Sequence, residues 1–188
     1  GGLLETASRK YGSSELILST NLCTESNNKP ESMRCENSIQ KNFEDGQYDH
    51  VRCAPFGCEN LTYCVPDKSE AGGHDCADTQ DSRRTKAFNK ISCSYGLAQM
   101  LYTTAWDNDF RGRPDKLFDP STSIELMAKH IGRSEGTHKN DPPKIAAVYN
   151  AGGLYEDSKN RWHMRQFGNH IDRWVSHYNK GVEQGMDP

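Results

Sequence analysis

Glu25 is the residue whose type and position most directly imply chemistry in this sequence. Ser13 or Ser14 can cap a helix running through Glu15, Leu18 and Leu22 to Glu25. Glu25 follows Leu18 by seven positions and Leu22 by three, so on a continuous helix it shares the stripe of the core-facing leucines. Burial disfavours a charged carboxyl and raises its pKa, which is the state a general acid needs near neutral pH. The negative end of the helix dipole pushes the same way. The plainer reading is an acid at a helix end that hydrogen-bonds a nearby backbone group or reaches solvent.

Two further clusters combine polar side chains with apolar surroundings. Ser94-Tyr95-Gly96-Leu97-Ala98-Gln99-Met100 is a glycine turn leading into an apolar stretch with one uncharged amide. Ala146-Ala147-Val148-Tyr149-Asn150-Ala151-Gly152 is a helix end bearing a phenol, an amide and small residues. Each is equally readable as a satisfied core segment, because buried polar groups normally find partners. Asp107, Asp109, Asp78 and Asp81 are candidates for a second carboxylate, against the ordinary reading of a solvated acidic face. Trp106 and Trp162 could stack on sugar rings, whereas Trp174 sits in a helical stripe and reads as core. Cys23 and Cys93 flank the two best motifs, but no His is tied to either thiol by spacing. Packing or disulfide roles are their ordinary reading.

The elements that must position these groups follow from length and pattern. At 188 residues the chain has room for one ordinary domain with one core. Lys plus Arg number 23 against 26 Asp plus Glu, a net charge of -3 that offers no footprint for a polyanion, so nucleic acid is a poor partner. No run of about 18 apolar residues exists, which excludes a membrane span. Gly1-Gly2 reads as a processed or engineered end, and export is not legible there. Mean hydropathy is -0.91, yet the apolar residues fall in periodic clusters, so part of the chain builds a core.

Seven cysteines are present, and Cys35, Cys53, Cys58, Cys64 and Cys76 crowd into one polar stretch. A segment with so little apolar area is expected to rely on disulfides in an oxidising compartment. Zinc is the weaker alternative: His50 and His74 are near, but no CxxC knuckle is present. No metal or other cofactor is expected. An odd count leaves at least one thiol unpaired or paired between chains.

Asp119-Pro120 and Asp141-Pro142 place an acid at the N-cap and a proline in the first turn. After Asp119, Ile124, Met127, Ala128 and Ile131 mark one helical face, expected to end near Gly132. After Asp141, Ile145, Val148 and Tyr149 are closed by Gly152. The last helix shows Phe167, Ile171, Trp174, Val175 and Tyr178, with Gly181 expected beyond its end. No strand of comparable quality is legible. The fold class is mainly α: a single domain over 1–188, with a Cys-rich, loop-rich insertion at about 27–92 marked by turn pairs such as Asp45-Gly46 and Gly72-Gly73.

In their order along the chain these motifs resemble a known family. Glu25-Ser26 at the end of an apolar helix, then Gly96-Leu97-Ala98-Gln99, then Asp119-Pro120, then Tyr149-Asn150-Ala151-Gly152, is similar to the soluble lytic transglycosylases, related in fold to goose-type lysozyme. The resemblance implies a lysozyme-like helical domain acting on peptidoglycan glycan strands, cut between N-acetylmuramic acid and N-acetylglucosamine. It implies Glu25 as the single acid and base, Tyr149 beside it, and Ser26, Gly96, Leu97, Gln99, Met100 and Asn150 as substrate contacts. The setting would be periplasmic, extracellular or virion-associated, with a secretion machine or virion as partner. A hydrolytic goose-type muramidase and a non-catalytic Cys-stapled glycan-binding or inhibitor protein are the alternatives.

Overall fold

The computed structural model describes residues 2–44, 65–66, 74–75, 92–138, 141–152, 155–156, 162–163 and 170–188. Cys53, Cys58, Cys64, Cys76, His50, Asp78, Asp81, Phe167 and both turn pairs of the insertion lie outside them, as do the side chains of His74 and Trp162. The described residues are mostly helical, with a small three-stranded sheet. Among them no helix is long and apolar enough to cross a membrane. The backbone clusters into two compact units, Gly1–Lys29 with Ile124–Pro188, and Pro30–Ser123.

The first unit is built around its second helix. Helix α1 spans Leu3–Tyr11 and α2 spans Glu15–Ser26. Ser14 is the N-cap of α2, its hydroxyl accepting from the Ile17 amide, and Asn27 ends the helix in the left-handed region. Both ends fall where the sequence puts them. Leu16, Ile17, Leu18, Thr20, Asn21, Leu22, Thr24 and Ser26 are all buried, so α2 is enclosed on nearly every side. Its polar residues partly satisfy themselves along the helix: Thr24 donates to the Thr20 carbonyl at 2.8 Å and Ser26 to that of Leu22 at 3.1 Å.

Around α2 stand the later helices of the chain. For this description α5 is Pro120–His138, α6 is Pro142–Ala151 and α7 is His170–Glu183. The expected stripe of α5, Ile124, Met127, Ala128 and Ile131, is buried as a set. Gly152 closes α6 at φ 73°. Two glycines read as helix ends lie inside helices instead. Gly132 continues α5, and a Cβ there would come within 2.7 Å of the Tyr11 carbonyl oxygen. Gly181 lies within α7, where a Cβ would meet Leu16 Cδ1 at 2.2 Å. Both positions are glycine because another segment packs against the helix there, a demand that local sequence does not reveal. A two-stranded pair, Tyr155–Glu156 with Trp162–His163, follows α6.

The second unit holds strands too short to show alternation, which is why the sequence does not betray them. Strand β1 (Met33–Cys35) pairs antiparallel with β4 (Cys93–Tyr95), and β4 with β5 (Met100–Leu101). Between them lie α3 (Asn37–Glu44) and the pair β2 (Val65–Pro66) with β3 (His74–Asp75). Cys35 faces Cys93 in the β1–β4 register, and the two form a disulfide. One cysteine of the Cys-rich stretch is thus crosslinked, and Cys93 is removed from the candidate nucleophiles. Cys23 is a free thiol, half-buried, with the Asn28 amide 3.2 Å from its sulfur. Helix α4 (Tyr102–Asp107) and a 3-10 turn (Pro114–Phe118) complete the unit. Asp119 then caps the start of α5, its Oδ2 accepting from the Thr122 amide and hydroxyl at 2.8 Å each.

Candidate functional site

Three helices of the first unit bring Glu25, Tyr149 and His170 together. Glu25 occupies the last turn of α2, with 12% of its side chain exposed. His170 opens α7, 6% exposed, and its Nε2 lies 3.1 Å from Glu25 Oε1. The pair is at contact distance without hydrogen-bond geometry, and both atoms are buried with no hydrogen-bond partner among the described residues. Tyr149, from α6, is the third member. Burial foremost, and then the nearby Glu25 charge, hold its hydroxyl well above the ordinary phenol pKa. The ring of Tyr149 meets His130 of α5 edge-on, with centroids 5.6 Å apart.

The packing of α7 on α2 sets this geometry. Trp174 is fully buried, its indole N–H donates to Asn21 Oδ1 at 2.7 Å, and its ring stacks on Tyr178 at 5.2 Å. Trp174 therefore has the core role its stripe implies. Asn21 and Glu25 are one turn apart on α2, as are Trp174 and His170 on α7. Beside the Gly181–Leu16 approach, these pairs form successive rungs of an antiparallel helix pair. His170 is the site residue that sequence reasoning passed over. Its signal was its place four residues before Trp174.

The other expected substrate contacts are placed as follows. Ser26 is buried and commits its hydroxyl to the Leu22 carbonyl. Asn150, next to Tyr149, keeps a buried Oδ1 with no hydrogen-bond partner among the described residues. In the second unit Gly96 takes φ 68°, and a Cβ there would sit 2.1 Å from the Leu117 carbonyl oxygen, so only glycine fits. Gln99 is itself in the left-handed region, at φ 46°. Its amide donates to the carbonyls of Ser32 and Gly96, each at 2.9 Å, while its oxygen accepts from Ser94 at 3.2 Å. Both amide hydrogens thus brace the turn. Leu97 and Met100 are buried.

Asp107 and Asp109 are exposed. Trp106 is half-buried, and one face of its ring carries the Arg111 guanidinium at 3.7 Å. Among the described residues no group of three or more His, Cys, Asp or Glu side chains is placed to hold a metal ion. Chemically, the arrangement offers a nearly buried carboxyl at a helix end, with a phenol and an imidazole beside it, suited to giving and taking one proton. Comparison of the chain with family models, with curated proteins and with solved structures finds no match.

Proposed function

We propose that this protein is a peptidoglycan lytic transglycosylase built on a lysozyme-like helical body, with Glu25 as its single general acid and base. The observation that carries the reading is the setting of Glu25: the last turn of an enclosed helix, with a 12% exposed side chain flanked by Tyr149 and His170. The order of the Glu-Ser, Gly-Leu-Ala-Gln, Asp-Pro and Tyr-Asn-Ala-Gly motifs supplies the substrate class.

In this mechanism protonated Glu25 delivers its proton to the glycosidic oxygen, and the bond from that oxygen to C1 of the muramoyl sugar breaks. The substrate's own N-acetyl carbonyl stabilises the oxocarbenium-like centre in place of a second enzyme carboxylate. The muramoyl C6 hydroxyl then bonds to C1 and gives its proton to the Glu25 carboxylate. The product is a 1,6-anhydro end, and the acid is regenerated. Tyr149, with its hydroxyl kept un-ionised, lies within electrostatic reach of the Glu25 charge. Asn150 brings a buried acceptor in need of a donor, such as a sugar hydroxyl or amide.

The Cys35–Cys93 disulfide suits an oxidising setting such as a periplasm or virion exterior. The test is clearing of purified sacculi by the parent chain and by Glu25→Gln. Clearing lost in the variant, with glycan binding retained, supports the enzyme. Equal clearing by both refutes it.

A further inference from the structure

We propose that His170 is the positioning residue of Glu25, its Nε2 placed 3.1 Å from Glu25 Oε1 so that it donates to the carboxylate once the two side chains align. The proposal rests on the acid and base role of Glu25 argued above. It starts from two buried polar atoms, Glu25 Oε1 and His170 Nε2, which are 3.1 Å apart and otherwise partnerless. Leaving both unsatisfied is costly. A small realignment of either side chain joins them, and catalytic hydrogen bonds commonly tighten only once substrate is bound.

The tautomer follows from the opposite side of the ring. Arg173 Nη2 lies 3.4 Å from His170 Nδ1. A guanidinium only donates, so Nδ1 is the acceptor and the single proton of the neutral ring sits on Nε2. The groups facing the pair are Tyr149 from α6 and Arg173 one turn along α7, with His130 of α5 against the Tyr149 ring. A neutral Nε2–H stabilises the charged form of Glu25 and not the protonated one. It therefore supports the carboxylate left after the first proton transfer.

The experiment combines a pH profile with ring nitrogen NMR on the full chain. In the proposed mechanism the acid gives its proton first, so cleavage falls on the alkaline side of the pH–rate profile. Replacing His170→Phe removes the donor and moves that alkaline limb up by about one pH unit, together with a lower maximal rate. His170→Gln sets an amide N–H near the Nε2 position and returns the limb toward its original place. In the parent, nitrogen NMR shows a neutral ring protonated on Nε2 near neutral pH, and Arg173→Met weakens that preference. A ring protonated on Nδ1, an imidazolium near neutral pH, or limbs that coincide in parent and His170→Phe overturns the proposal. Should His170→Phe not fold, the Gln and Met variants and the parent spectrum still decide it. Glycan cleavage unaffected by Glu25→Gln would defeat the functional reading alone, because the tautomer and a carboxyl NMR titration of Glu25 are read without turnover.

Discussion

The indole of Trp174 and the amide of Asn21 meet at 2.7 Å inside the first unit, one helical turn from the approach of His170 to Glu25. The core rung thereby sets the next one: as long as α7 is anchored to α2 through Trp174, His170 stays over the end of α2. Replacing Trp174→Ala should destabilise the chain by about 3–5 kcal/mol through the cavity it leaves. Trp174→Phe should cost about 1–3 kcal/mol, mainly because Asn21 Oδ1 loses its donor. Urea unfolding monitored by circular dichroism checks both, and a midpoint for Trp174→Phe equal to the parent's would contradict the rung.

Gly96 is required by both space and backbone. With φ at 68° and a Cβ placed 2.1 Å from the Leu117 carbonyl oxygen, Gly96→Ala must distort the turn. The expected loss is at least about 1–3 kcal/mol. A thermal midpoint unchanged by the substitution would show that the turn relaxes freely.

The Cys35–Cys93 bond closes a sequence separation of 58 residues. A double Cys35→Ser, Cys93→Ser variant should lose about 2–4 kcal/mol. Comparing its denaturant midpoint with that of the parent measures this, and equality would mean that the β1–β4 pairing holds the second unit without the link.

Glu135 sets a pH dependence of opposite sign to that of a salt-bridged acid. Burial raises its folded pKa above the ordinary 4.5, although the Ser14 amide donates to its Oε1 at 3.1 Å. Between its unfolded and folded pKa values the native state binds more protons, so its contribution to stability falls as pH rises through that window and stays low above it. Glu135→Gln keeps an acceptor for the Ser14 amide and removes the titration. Its stability should be flatter with pH and at or above the parent's near neutral pH. Parallel stability profiles from pH 4 to 8 would contradict this account of Glu135.

What the sequence revealed was local. Ser14, Asp119 and Gly152 act at helix ends through their own side chains or backbone, so their roles are written within a few residues of each. Gly132 and Gly181 looked the same in sequence but serve close approach between elements, which depends on partners more than a hundred residues away. The strands of the β1–β4–β5 sheet are two or three residues long and cannot show a two-residue period. His170 escaped notice because the stripe of the last helix was traced through Ile171, whereas the fully packed line runs through His170, Trp174 and Gly181. The unusual setting of Glu25 was legible because an acid on a leucine stripe is a local contradiction.

In the proposed mechanism one carboxyl performs both proton transfers, and sugar, not water, completes the reaction. Mass analysis of muropeptides released from purified sacculi measures this directly. The account predicts 1,6-anhydro-muramoyl ends from the parent chain and none from Glu25→Gln. Release of only reducing muramic ends, or of the same anhydro products by the variant, would contradict it.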